Sequence, residues 1–98
     1  MATSNILQSP PLFRGENYNY WAVKMKSFFL AHDLWEIVEE GFAPVEFADD
    51  TPVEELRKQK ESSKKNFKAL SFLYSAVSEA IFPRIVSATT AKEAWDTL

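Results

Sequence analysis

Few side chains in this 98-residue chain could perform chemistry, and their spacing does not predict a catalytic or metal site. His32 is the only histidine, and the sequence contains no cysteine. A lone imidazole does not make a metal site, because zinc sites use three or four protein ligands. We therefore predict that His32 packs or caps at the end of a helix, where the helix dipole favours a positive charge. No metal, cofactor or small-molecule substrate is expected.

Adjacent carboxylates are the remaining candidates for acid–base chemistry. Glu39 and Glu40 are neighbours in sequence, as are Glu54 and Glu55. Side chains one position apart on a helix point to different sides, so these pairs are predicted to be solvated charge. The two glycines are far apart, which also argues against a glycine-rich phosphate-binding loop. The sequence therefore predicts no catalytic residues and a protein that is not an enzyme.

Charge is segregated along the chain, although the net charge is only −3. Residues 27–56 contain no lysine or arginine but nine acids: Asp33, Glu36, Glu39, Glu40, Glu46, Asp49, Asp50, Glu54 and Glu55. Residues 57–68 contain six bases and one acid: Arg57, Lys58, Lys60, Lys64, Lys65, Lys68 and Glu61. These stretches are either solvated surface or complementary patches between neighbouring molecules. RNA contact is a weaker interpretation, because the chain is acidic and the bases spread around a helix.

Two helices are predicted in the first half of the chain. Apolar residues recur at three- and four-residue spacing over residues 18–32, with Asn17 as N-cap. Asp33 is predicted to cap a short second helix over residues 34–40, which ends at Gly41.

The second half of the chain is predicted to contain a long helix and a short one. Thr51 as N-cap, Pro52 at the first helical position and Glu54 three residues after Thr51 are typical of a helix that starts with a capping box. No proline or glycine follows before Pro83. Thr90 and Glu93 form a second capping box, which opens the last helix. We therefore expect an all-α bundle of four to five helices with an extended segment before the first.

The predicted core is aromatic. Trp21, Trp35 and Trp95 come from the first, second and last helices, and we expect them to meet in one cluster. Each buried aromatic side chain of this size removes ~150–250 Å² from water. The full set of predicted core residues is Trp21, Met25, Phe28, Trp35, Phe67, Leu70, Tyr74 and Trp95.

Other apolar and charged residues are predicted to lie at the surface. Residues 1–9 are predicted to be a flexible leader, followed by an extended segment that lies against the helices. The candidate partner or assembly residues are Leu12, Phe13, Phe47, Phe72, Asp49, Asp50, Lys64 and Lys65. The aromatic members either fill satellite clusters or line a hydrophobic groove or dimer face. For the charged members, we predict that the basic helix of one copy meets the acidic loop of the next copy, head to tail.

Three segments in a fixed order resemble plant copia-type LTR retrotransposon Gag polyproteins. These segments are Leu12–Trp21, Leu34–Gly41 and Ala91–Leu98, with Met25 following the first. The resemblance covers residues 10–98 and implies an orthogonal helical bundle like the N-terminal lobe of a capsid protein. It implies that the chain is a fragment of a longer protein.

The resemblance also implies a function. Gag N-lobes assemble into shells of virus-like particles through protein–protein contacts, and related domesticated Gag proteins bind partner peptides in a hydrophobic groove. The zinc knuckle of such proteins cannot be carried over, because the chain has no cysteine. RNA binding by this fragment is therefore expected to be weak at most. Residue 2 is alanine, so N-myristoylation is not expected, and the implied location is the cytoplasm, without membrane contact.

Overall fold

The computed structural model describes residues 9–98, which form an all-α bundle and confirm the predicted fold class. All but Ser9 of the predicted flexible leader lies outside the described residues. The elements of the described part are α1 (Tyr18–Ala31), α2 (Trp35–Glu40), α3 (Val53–Ser75), a 3-10 turn (Phe82–Arg84) and α4 (Ala91–Thr97).

The core lies where α1 crosses the packed group of α2, α3 and α4. α1 buries Trp21, Met25 and Phe29, which are four residues apart and therefore lie on one face. The fully buried side chains of α4 are small, Ala91 and Ala94, and the half-buried Trp95 packs against the same core. These alanines let its backbone come close to α3, so the large aromatic side chains of α1 fill the space beside them.

α3 ends earlier than the sequence predicts, at Ser75 rather than near Pro83. The reason is a contact with the segment before α1. The amide of Phe13 donates to the carbonyl of Ala76 at 2.7 Å, and the amide of Ser78 donates to the carbonyl of Phe13 at 3.0 Å. These bonds form a single parallel β-bridge, which replaces the next turn of helix. Pro83 lies in the 3-10 turn that follows.

The inward face of α3 differs from the predicted one. The prediction placed Phe67, Leu70 and Tyr74 in the core, but Phe67 is 58% exposed and Tyr74 is half-buried. The buried residues of α3 are Asn66, Ala69, Leu70 and Leu73. This set is centred nearly a quarter-turn away from the predicted stripe, so Phe67 points outward.

Asn66 explains the orientation of α3. Its Oδ1 accepts from the backbone amide of Ala91 at 2.9 Å, and its Nδ2 donates to the carbonyl of Thr89 at 3.5 Å. The first amides of a helix have no partner within the helix, and a buried unpaired amide is costly. A side-chain amide facing inward satisfies the start of α4, and the sequence pattern gave no signal for this.

Of the four residues predicted as N-caps, only Thr90 makes a side-chain capping hydrogen bond. Thr90 caps α4 as predicted, since its Oγ1 accepts from the amide of Glu93 at 3.1 Å. Asn17 precedes α1 but has a φ of 55° and makes no capping hydrogen bond. Asp33 does not cap α2 either; its φ is 59°, a region that Asn and Asp tolerate better than most residues. Thr51 is not the N-cap of α3, because that position is taken by Pro52.

Candidate functional site

A cluster of aromatic side chains packs α1, α2 and α4 against one another. The ring centroids of Trp21 and Trp95 are 5.5 Å apart and stacked, and those of Trp35 and Trp95 are 5.4 Å apart and nearly perpendicular. The structure thus brings the three tryptophans together. Trp21 is buried, whereas Trp35 and Trp95 are half-buried. The Lys26 ammonium lies 5.0 Å from the centre of the Trp35 ring.

The segment before α1 adds a layer to this cluster. Phe13 is 3% exposed and stacks on Trp21 with centroids 4.9 Å apart. The indole Nε1 of Trp21 donates to the carbonyl of Pro11 at 2.9 Å. Phe13 is therefore a core residue, which corrects its prediction as a partner surface. Leu12, its neighbour, is 47% exposed and is available on the outside of the segment.

A second aromatic group lies at the end of α1. Phe28 and Phe72 make an edge contact with centroids 4.9 Å apart, and the His32 ring is 4.4 Å from Phe28 and 5.0 Å from Phe72. All three side chains are half-buried. Phe72 therefore fills a satellite cluster rather than a free surface, and His32 packs against it.

An apolar depression, which we call the apolar groove, lies on the described surface. It is the cavity of about 520 Å³ between residues 42–47 and the N-terminal half of α3. Its apolar lining residues are Phe42, Pro44, Val45, Phe47, Leu56 and Phe67. The loop is held along the helix, since Gln59 Nε2 donates to the carbonyl of Ala43 at 3.4 Å. Phe47 remains 43% exposed, so its ring is accessible to a partner.

Cationic side chains lie on two different sides of α3. Lys60 and Lys64 line the apolar groove. Lys65 instead forms an ion pair with Asp33 at 3.1 Å, on the side that faces α2. The basic and acidic stretches, which are predicted to meet between neighbouring copies, thus also meet within one molecule. They are in contact through this ion pair and through the loop that forms a wall of the groove.

We call the anionic surface between the end of α1 and α2 the acidic corner. It is a shallow depression lined by Leu30, Asp33, Trp35, Glu36, Glu39 and Glu40. Leu30 is 56% exposed at its edge. Asp49 and Asp50, the acids selected from the sequence, instead occupy an exposed turn before α3 and line neither the groove nor the corner.

The described residues show no arrangement suited to metal chemistry. Within residues 9–98, histidine, aspartate and glutamate side chains form no group of three or more that could hold a metal ion. Buried side-chain nitrogen and oxygen atoms in this range all have hydrogen-bond partners. No helix in the described part is both long and apolar enough to span a membrane.

Comparison with known proteins gives one match. A family model described as the gag-polypeptide of LTR copia-type matches residues 25–98. The matched range begins at the buried Met25 and contains α2, α3, α4, the apolar groove and the acidic corner. The chain matches neither a curated protein nor a solved structure.

Proposed function

The chain belongs to the gag-polypeptide family of LTR copia-type elements, and from this membership we propose that it is a capsid-like domain that assembles particle shells. The Gag family is a structural, non-catalytic part of its polyprotein. Within the proposal, residues 10–98 act as an N-terminal lobe in the cytoplasm, and the partner is another copy of the chain.

The observation that carries this proposal is the apolar groove. Phe47 and Phe67 keep large exposed fractions, whereas the other aromatic side chains of the described residues, apart from Tyr20, are buried or half-buried. Contiguous exposed apolar surface on a small domain is typical of a protein-binding site. Polar groups at its edge, Lys60 and Lys64, add selectivity for a complementary surface.

Sedimentation velocity over a wide range of protein concentration tests self-association. We expect a weight-average mass that rises with concentration at low ionic strength and falls as salt is added, because charge contacts are screened. A mass that stays at 11.2 kDa at every concentration would contradict assembly by this domain.

The same groove supports a second candidate function, an adaptor that binds partner peptides. A volume of about 520 Å³ lies within the range of small-molecule and peptide-anchor sites. In this case the domain remains monomeric and binds apolar, acidic peptides. Titration of a monomeric sample with such peptides, followed by chemical shifts of Phe47 and Phe67, would distinguish the adaptor from the assembly domain.

A further inference from the structure

The chemistry of the apolar groove defines what can occupy it. The residues that line it include six apolar side chains and two lysines but no acid. Burying a lysine without a partner is unfavourable, so an occupant must neutralise Lys60 and Lys64 as well as cover apolar surface. The occupant therefore has an apolar anchor with carboxylates beside it.

The acidic corner has this composition. Exposed Leu30 supplies the anchor, and Glu36, Glu39 and Glu40 supply carboxylates from the neighbouring helix. None of the residues that line the corner is basic. Two bases lie beside it: Lys65 is paired with Asp33, and the Lys26 ammonium lies over the Trp35 ring at 5.0 Å. None of the three glutamates forms an ion pair within the described residues. The three glutamates are therefore left for cations of another molecule.

One molecule cannot bring these two surfaces together by itself. Consecutive helix residues are about 100° apart, so Lys65 and Phe67 are about 160° apart around α3. Lys65 faces the corner through its bond to Asp33, whereas Phe67 lines the groove. The corner and the groove thus lie on nearly opposite sides of α3, an arrangement that suits a head-to-tail contact between copies.

We propose that the acidic corner of one copy docks into the apolar groove of the next copy. Leu30 contacts Phe47 and Phe67, while Glu36 and Glu39 face Lys60 and Lys64. This inference rests on the proposed self-assembly and names the two surfaces that carry it. It replaces Asp49 and Asp50 as the acidic partners, because the loop before them belongs to the groove itself.

The contact is heterologous, since each copy uses two different surfaces, and it therefore continues into rings or lattices. Six residues line the corner and ten line the groove, fewer than the roughly 20–30 residues that each partner contributes to a stable interface. Isolated domains should therefore associate weakly, and a shell gains stability from many contacts at once.

The test uses two variants that each destroy one surface, Leu30→Glu and Phe67→Glu. Both side chains are exposed, so the fold should tolerate the changes. Each variant alone should associate at least about tenfold more weakly than wild type, the loss expected when ~1.4 kcal/mol of contact is removed. Val23→Glu, at another exposed apolar position on α1, is the matched control and should associate like wild type.

A mixture of the two variants distinguishes the proposed geometry from other contacts. One variant retains an intact groove and the other an intact corner, so together they form one complete interface. The mixture should produce a 1:1 dimer that grows no further, measured by sedimentation velocity at low ionic strength. If the mixture associates no better than either variant alone, the corner-to-groove contact is wrong.

Charge exchange gives an independent readout. Lys60→Glu with Lys64→Glu should weaken association, and adding Glu36→Lys with Glu39→Lys in the same chain should restore it. Restoration by Asp49→Lys with Asp50→Lys instead would overturn the corner as partner in favour of the loop.

The outcomes separate this inference from the proposed function. A wild-type chain that associates, but is insensitive to Leu30→Glu and Phe67→Glu, contradicts the contact and leaves self-assembly in place. A wild-type chain that is monomeric at all concentrations contradicts both.

Discussion

Trp95 and Phe67 show how the same kind of side chain acquires different roles in two regions of the molecule. Trp95 lies within 6.1 Å, between ring centroids, of Trp21, Phe29 and Trp35. Phe67 makes no aromatic contact with the described residues and is 58% exposed. In the first region, helices distant in sequence enclose the ring, whereas in the second a loop covers only part of it. Enclosure rather than hydrophobicity therefore separates the core from the binding surface.

The largest expected effect is the difference in stability loss between substitutions in these two regions. Trp21→Ala and Trp95→Ala should each cost ~3–5 kcal/mol, because each removes a large ring from a packed cluster. A domain of this size has a stability of roughly 5–15 kcal/mol, so both variants should be largely unfolded or strongly destabilised. Phe67→Ala is the matched control, and its cost should be small because its ring is exposed. Thermal melting checks this, and equal losses at Trp95 and Phe67 would remove the distinction.

The next effect concerns the polar contact inside the core. Asn66→Ala should cost ~1–3 kcal/mol, because it leaves the buried amide of Ala91 without a partner. The exposed Asn19 on α1 provides the control, since Asn19→Ala removes no buried hydrogen bond. Chemical denaturation measures the cost, and amide exchange locates it. Faster exchange should appear at Ala91; unchanged protection there would mean that Asn66 does not hold the start of α4.

A smaller effect compares two threonines that have the same sequence signature. Thr90→Ala should cost about 1 kcal/mol, because its hydroxyl caps α4. Thr51→Ala should cost much less, since the N-cap of α3 is Pro52 and no side-chain capping bond is present. Denaturation midpoints of the two variants make the comparison. A larger loss at Thr51 would show that the predicted capping box forms after all.

The sequence predicts those features that depend on neighbouring residues. The inward stripe of α1 repeats over several turns, so its period is sufficient to identify Trp21 and Met25 as one face. The Thr90 cap requires only Glu93, three residues away. The end of α2 at Gly41 is likewise local, since its φ of 90° favours glycine.

Features that depend on distant residues cannot be predicted from the pattern of neighbouring residues. The end of α3 is set by Phe13, more than sixty residues earlier in the chain, and this contact also buries a side chain expected at the surface. The rotation of α3 follows from Asn66 and the start of α4, a contact between residues 25 positions apart. Hydrophobic periodicity does not identify a polar residue such as Asn66 as inward-facing. The sequence therefore predicts the more hydrophobic Phe67 in the core instead.

The surface was predicted least well for the same reason. The segregation of acids and bases is visible in the sequence, but their partners are not. Lys64 and Lys65 are adjacent, and the structure places one in the apolar groove and the other against Asp33. A prediction that treats them as one patch therefore combines a candidate partner contact with an internal ion pair.

The smallest expected effect tests this separation of the two lysines. Lys65→Ala breaks an exposed ion pair with Asp33, and such pairs contribute only ~0.2–1 kcal/mol. The melting temperature should therefore change little, and the change should vanish as added salt screens the pair in the wild type. Lys64→Ala, the matched control, removes a charge with no ion pair in the described structure and should leave stability unchanged even at low salt. Self-association should show the opposite order, with Lys64→Ala weakening it and Lys65→Ala leaving it nearly intact. If Lys65→Ala weakened association more than Lys64→Ala did, the cations that contact the next copy would lie on the α2 side of α3 rather than in the groove.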